Sequence, residues 1–571
     1  MTVHPANLKT SSPARPLKPG AEVAVALAGT AFAAVLVVVT AMYAGPLWRD
    51  EVNTINVAQM PSLREFWANM AFESFPPLWP LLLRLCGDVG IIGGSDAGIR
   101  VIGLYVGLLF LASLWACSRW TGGRAPILSV GLLGSLPAFV FIVGANRAYG
   151  LASCLLVLTF GMIWRVVEVP SKGRIFLAGV TCLLFAHCVY YDVVFLCAML
   201  AGAAAVLIRR RKWKTLGALA GIGAVAGAST AIYLPIIHRG SVYAPMSQMP
   251  SFDGSTLWYK LGSALTARSS AHFPRFDGSE IWCWVLLVWI GCVVALMMQR
   301  RREPQTERGE ATQEVRSRAD LALFCVVSML LGIVGYTAFL LKLHFITQSW
   351  YYVEMLCLCA ISLDGLLGAN RPQLRPWGLL RIGFMVVMMT WNARSAWEEA
   401  HTRRSNIDLV AAVLSQKASE GDLIVVQSAW EGITFDRYYH GKAQWVTLPP
   451  IDSHKVHRND LVMEKMQQAD PMAPVLREIT DTLRKGNSVW IARHVIAADP
   501  KYVPPPPPPP PALPTKWWME PYLAYWSAQV TVSLLDQARQ ERVLEIPVSG
   551  PVSHLEHFSL VQFSGYRVHG D

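Results

Sequence analysis

A polytopic α-helical membrane protein with a small α/β domain at its C-terminal end is the fold class this chain predicts, and three observations carry that reading. Hydrophobic residues make up 53% of the 571 and charged residues only 16%, with a mean hydropathy of +0.36; a soluble core of this size needs far less apolar content. About eleven apolar runs approach the roughly 20 residues that cross a bilayer. From residue 398 the runs give way to short strand and helix patterns. The formal net charge of +11 lies in short clusters between apolar segments rather than along one face. That suits loops facing anionic lipid, not nucleic acid.

Taken in order, residues 1–21 form a tail on the cytoplasmic side. The runs fall near 22–44, 97–118, 125–143, 148–168, 175–190, 192–208, 214–236, 281–298, 320–341, 349–368 and 377–397. The first exceeds a signal peptide's apolar region and shows no cleavage site, so it reads as an uncleaved anchor. The stretch 175–208 is long for one helix and is split at His187 and Tyr190-Tyr191-Asp192. Pro76 and Pro77 suit a first helical turn, and the short run behind them reads as an interfacial helix over 76–92. With the N-terminus inside, Arg119 to Arg124, Arg165 to Arg174, Arg209 to Lys214, Arg300 to Arg318 and Arg371 to Arg381 all fall in cytoplasmic loops, as the positive-inside rule asks. The loops 45–96 and 237–280 and everything from 398 then fall outside.

Residues 398–571 read as that outer α/β domain. Ile407 to Ala418 has amphipathic helical spacing, Gly421 to Gln427 reads as a turn and buried strand, Thr434 to Tyr439 as helix, and Ser488 to Ala492 as a second strand. Pro504 to Pro511 must be extended polyproline, here a stiff spacer. All eleven cysteines lie between Cys86 and Cys359, mostly inside spans, where cysteine serves as a small hydrophobe. No metal-ligand spacing stands out.

The chemistry-bearing residues gather at the outer ends of the spans. Asp50 and Glu51 emerge in Gly45-Pro-Leu-Trp-Arg-Asp-Glu51 as the first run ends, a costly position for charge unless it is used or paired; an interfacial cap explains them equally well. Glu73 follows in the same loop. Arg147 and Tyr149 mark the next outer turn, His187, Tyr191 and Asp192 a third, and Lys342, His344, Trp350 and Tyr351 a fourth. Alone, each has a plain alternative: Arg147 can snorkel to headgroups, His187 can be a satisfied interhelical histidine, Trp350 and Tyr351 can belong to an aromatic belt, and Lys342 and His344 can be anchors.

The order of these segments is more specific. Leu47-Trp-Arg-Asp-Glu51, Ser74-Phe-Pro-Pro-Leu-Trp-Pro-Leu-Leu-Leu-Arg-Leu85, Ser95-Asp-Ala-Gly-Ile-Arg100 and Asn146-Arg-Ala-Tyr-Gly-Leu151 together resemble the N-terminal module of the GT-C glycosyltransferases. The likeness is to bacterial relatives of the dolichyl-phosphate-mannose protein mannosyltransferases and the aminoarabinose lipid A transferases. It covers residues 22 to 210. It implies a GT-C-like fold and transfer of a hexosyl or pentosyl unit from a polyprenyl-phosphate donor to an acceptor outside the bacterial inner membrane, with the tail domain periplasmic. It also implies that Asp50 is the base, or the group that positions the acceptor, with Glu51 beside it. Members often carry Glu two positions before the motif's arginine, where this chain has Ala145; Glu73 or Asp192 are the candidates to replace it.

These residue types suit that chemistry independently. A carboxylate that takes a hydroxyl proton in the transition state contributes about 10² to 10⁴ in rate, and desolvation beside Glu51 would raise the pKa of Asp50. Arg147, Lys342 and His344 could stabilise a departing phosphate. No cofactor is expected; Asp50 and Glu51 could ligate a divalent metal, but two adjacent carboxylates are a weak metal signal. The rival classes are a transporter or flippase, which would show half-repeats and midplane charges, and a non-catalytic assembly protein of the same fold.

Overall fold

The computed structural model describes residues 19–90, 95–243, 252–266, 310–344, 347–368, 375–494 and 519–567, with a few isolated positions besides. Seven of the described helices are long and apolar enough to cross a membrane, or eight if one bent pair is a single span. That is fewer than the eleven expected, for three reasons. The run 175–190 becomes a helix of only 15 residues, Lys172–Ala186. The run 377–397 lies in the long helix Arg375–Ala400, where Arg381, Asn392 and Arg394 dilute the apolar content. The run 281–298 lies almost wholly outside the described residues, as does most of the proline spacer.

The bent pair is the run 125–143. It forms Ile127–Leu133 and Pro137–Gly144, which meet at 80°, because a proline cannot donate into a continuing helix and clashes with the preceding turn. Asp364 holds the first half: its carboxylate accepts from the backbone N–H groups of Leu128 and Ser129 at 2.9 Å each, where an acidic side chain suits a helix start. Arg381 reaches Asp364 at 3.5 Å and Glu22 at 3.7 Å. Four helices, Pro19–Tyr43, Ile127–Leu133, Val353–Gly368 and Arg375–Ala400, are thereby stapled at one end of the bundle.

At the other end the short helices gather. Arg49–Ala58, Leu63–Asn69 and Leu78–Asp88 fill the first loop, the last matching the helix expected over 76–92. The helix Asp96–Trp120 starts on Ser95, whose hydroxyl accepts the Gly98 N–H at 3.2 Å, and packs along Ala148–Glu168, a buried central helix, in the same direction, with Val106 near Gly150 and Trp120 near Gly161. The nine described cysteines are all free.

The tail folds around a five-stranded sheet of order β2-β1-β3-β5-β4. Its strands are β1 (Leu423–Val426), β2 (Gln444–Thr447), β3 (Val489–His494), β4 (Ala538–Leu544) and β5 (Phe558–Tyr566). β1 pairs in parallel with β2 and β3, Val425 lying between Val446 and Ile491, while β5 runs antiparallel to β3 and β4. β1 is buried along its whole length, as a central strand covered on both faces must be. The helix Ile407–Lys417 packs on one face and Ala473–Arg484 with Glu520–Gln537 on the other. The domain docks on the loop end of the bundle. Arg404, 1% exposed, donates its backbone N–H to Ala44 O at 2.7 Å and stacks its guanidinium over Phe141 at 4.2 Å.

Candidate active site

The helix Arg49–Ala58 opens on Glu51, whose side chain accepts the Trp48 N–H at 3.1 Å in the first turn, as a third-position glutamate does in a capping box. Consecutive helical positions point about 100° apart, so Asp50 and Glu51 diverge. Glu51 turns inward and is fully buried. Arg100 grips it bidentately at 2.5 and 3.0 Å, and the Asn146 N–H adds a third contact at 2.7 Å. The same guanidinium donates to Gly144 O at 2.8 Å and Pro46 O at 2.7 Å. Glu51 and Arg100 therefore fix the first loop, the helix Asp96–Trp120 and the turn at Arg147 against one another. Both oxygens of Glu51, the carboxylate the sequence set beside the proposed base, are committed to these contacts, and none of its surface is exposed.

Asp50 turns the other way and keeps 27% of its side chain exposed. Its Oδ1 lies 3.3 Å from His457 Nε2 and 3.7 Å from Arg49 Nε, and its Oδ2 lies 3.8 Å from Arg147 Nη2. Burial pushes this carboxyl up, but Arg147, His457 and Arg49 together outweigh burial and hold it well below the usual carboxylate range. This reverses the sequence expectation of a raised value. Glu51, the neighbour that would have raised it, is neutralised by Arg100, and cations surround Asp50 instead.

Arg147 sits between two carboxylates. Its Nη1 donates to Asp50 O at 2.7 Å and to Thr54 Oγ1 at 3.0 Å, and lies 3.5 Å from Glu73 Oε1. Glu73 also accepts from Thr54 Oγ1 at 2.8 Å, Asn53 Nδ2 at 3.1 Å and the Ser74 N–H at 2.7 Å. The Arg147 guanidinium lies over the Phe75 ring at 4.4 Å, an arrangement that favours a cation. Phe75 meets Tyr149 edge-on at 4.8 Å, and Tyr149 meets Tyr351 at 5.6 Å. Trp350 stacks on Phe141 at 4.6 Å and lies edge-on to Trp48 at 6.2 Å. Five of the sequence-nominated residues, Asp50, Glu73, Arg147, Tyr149 and Tyr351, are thus in one contiguous cluster, with Trp350 at its aromatic margin.

The others stand apart. His187 uses both ring nitrogens, one with Tyr233 and the other with Ser229 Oγ at 2.9 Å; this is the interhelical alternative. Tyr191 and Asp192 belong to a second buried group. Tyr191 OH donates to Glu354 Oε1 at 3.4 Å and its ring packs on Tyr336 at 5.0 Å. Asp192 accepts the Val189 N–H at 2.8 Å and faces Glu354 within hydrogen-bonding reach. Lys342 and His344 are exposed at the end of the helix Glu310–Leu343, and among the described residues neither bonds to Asp50, Glu73 or Arg147. In the loop 237–280, Asp253 accepts from the Thr256 N–H at 2.8 Å at a helix start; Arg268, His272 and Arg275 lie outside the described residues. No group of three or more potential metal ligands occurs among the described residues.

Several residues of the site were not nominated by the sequence. Arg100 stood inside a quoted motif without a role. Arg49 pairs with Glu431 of the tail, and its backbone N–H donates to Glu556 Oε2 at 2.7 Å. Tyr438 OH donates to Asp96 at 2.5 Å and accepts the Leu47 N–H at 2.8 Å. His457 reaches Asp50 from a tail segment with no recognisable motif. Only a fold could show that residues some 400 positions apart meet.

No family model and no curated protein matches this chain. Among solved structures, it is similar to ArnT from Cupriavidus metallidurans bound to undecaprenyl phosphate, at 12% identity and a TM-score of 0.47, covering 95% of this chain and 97% of that one. It is also similar to the Archaeoglobus fulgidus oligosaccharyltransferase AglB in complex with an inhibitory peptide and a dolichol-phosphate, at 10% identity and a TM-score of 0.41, covering 82% and 69%.

Proposed function

We propose that this chain is a membrane glycosyltransferase that moves a sugar from a polyprenyl-phosphate carrier to an acceptor hydroxyl. The observation that carries the reading is Asp50: a partly exposed carboxylate kept ionised by two arginines and a histidine, beside helices apolar enough to hold a lipid carrier. In the step proposed, the acceptor oxygen bonds to the anomeric carbon as that carbon's bond to the phosphate oxygen breaks. The phosphate leaves with the electron pair, the acceptor proton passes to Asp50, and the configuration inverts. A carboxylate held so far below its usual range is ionised at any working pH and takes the proton late, once the acceptor oxygen has become acidic by bonding.

Arg147, itself held by Glu73, holds Asp50 in place, and Tyr149, Tyr351 and Trp350 form the apolar margin against which a sugar or lipid stem can lie. Lys342 and His344, exposed beside that margin in sequence, are proposed to face the departing phosphate. No step is routed through a metal. The membrane is proposed to be the bacterial inner membrane, with the N-terminus cytoplasmic and the tail domain, residues 398–571, periplasmic, so that the acceptor is a glycan, lipid or protein of the envelope.

The test compares purified wild type with Asp50→Asn against a panel of labelled polyprenyl-phosphate sugars, following release of polyprenyl phosphate. Turnover by wild type that falls about 10² to 10⁴ in the variant supports the assignment. Near-normal turnover in the variant removes Asp50 as base, and no turnover by wild type with any carrier removes the transferase.

A further inference from the structure

The tail segment before the helix Asn459–Gln467 lies directly on the first-loop helix. Asn56 Nδ2 donates to Lys455 O at 2.8 Å, and the His457 backbone N–H donates to Asn53 Oδ1 at 2.8 Å. Between them Val456, 3% exposed, packs in a cluster with Val57, Phe66, Met70, Tyr233 and Ile236. These contacts dock the segment without any use of the imidazole. The ring itself is 14% exposed, and its Nε2 lies 3.3 Å from Asp50 Oδ1, while among the described residues its buried Nδ1 has no hydrogen-bond partner. A buried polar atom left unmatched lowers stability. A smaller apolar residue would dock the segment without that loss, so the imidazole is explained by Asp50 and not by docking.

We propose that His457 is a positioning residue for Asp50, supplied to the membrane site by the tail domain; this rests on the transferase reading above. Nε2 donates its proton to Oδ1, and the carboxylate is thereby fixed from one side by His457 and from the other by Arg147. One carboxylate edge is left to meet the acceptor hydroxyl. The imidazole meets the Asp50 carboxylate, whose Oδ1 also lies 3.7 Å from Arg49 Nε, and Asn53 bonds both to the segment's backbone and to Glu73. Rotation of Asp50 about its side-chain torsions is what the histidine prevents, and misplacement of a reacting group by about 1 Å lowers rate on the order of 10²-fold. The tail is then part of the catalytic centre and not an accessory that recruits acceptors.

The experiment measures kcat and KM for the lipid-linked donor in wild type, His457→Ala and His457→Gln, full-length and purified, with limited proteolysis of the tail run in parallel. Glutamine places an amide N–H near the position of Nε2. The expected result is a kcat lowered roughly tenfold to a hundredfold in His457→Ala with donor KM within about twofold, most of the loss restored by His457→Gln, and unchanged proteolysis in both. His457→Ala with kcat within about twofold of a turning-over wild type overturns the His457 role and leaves the transferase standing. A loss that glutamine fails to restore, or one that appears together with faster tail cleavage, reduces His457 to a docking residue. Wild type that turns over none of the donors overturns the transferase reading and this role with it.

Discussion

Asp50 and Glu51 are neighbours in the chain with opposite environments, and the difference follows from helical geometry rather than from residue type. Glu51 meets Arg100 in a dry, bidentate pair, and Asp50 meets cations in a half-open one. Removing one partner of a buried pair strands the other, at about 3–5 kcal/mol. Arg100→Met should therefore lower the apparent thermal midpoint sharply, and adding Glu51→Gln to it should recover part of the loss; thermal scans of the two variants read this directly. The Asp50 carboxyl stays ionised well below its ordinary 3.8, so the proposed turnover should show no acid limb in the usual aspartate range. Arg147→Gln takes away the leading cation and should move an acid limb upward into that range, in a pH profile of kcat. The sequence made Asp50, Glu73 and Arg147 legible as a charged set at span ends, because charge there needs a reason. It could not distribute their partners, because Arg100, Glu431 and His457 are ordinary surface residue types until the fold buries them.

Among the elements, close approach of backbones decides the site. A Cβ on Gly103 would stand 2.9 Å from Val143 O, an atom fixed in the helix Pro137–Gly144 that cannot move aside as a side chain can. Gly103 is one turn beyond Arg100, so Gly103→Ala should part the two helices, draw Arg100 away from Gly144 O and Glu51, and destabilise by about 1–3 kcal/mol. Gly173, which has open space around it, supplies the control: Gly173→Ala should leave the melting profile unchanged. The helices carrying this arrangement were readable, since apolar run length is the strongest signal a membrane chain offers. The bend at Pro137 was not, because a proline inside a long apolar run marks a break without saying how far the halves turn. Nor was the short Lys172–Ala186 helix, whose apolar run looked long enough because the turn that follows it is equally apolar up to Tyr190.

On the scale of the whole molecule, the seam between bundle and tail is built from charge. Glu556 is pushed up to about 8, first by burial and then by Glu431 nearby, against the opposing pull of Arg49 and its backbone N–H. A carboxyl raised in the docked state holds its proton there while an undocked one releases it near 4.5. Docking is thus strongest below pH 4.5, weakens as pH rises toward 8, and is level above it. Protease release of the tail, measured from pH 5 to 9, should accelerate with pH in wild type and lose most of that dependence in Glu556→Gln. Of the tail's elements, β1, β3 and the helices Ile407–Lys417 and Glu431–Tyr438 were legible in the sequence, while β2, β4, β5 and three further helices were not; the tail's seat on the first loop was hidden because each contact pairs residues of no distinctive pattern. That seat also has a consequence in time. Arg49 waits for Glu556, 507 residues later, an interval of roughly half a minute to two minutes at ordinary rates of synthesis. The first loop is made 507 residues before the glutamate that completes it. A chain that stops before Glu556 therefore carries Asp50 without that part of its seam.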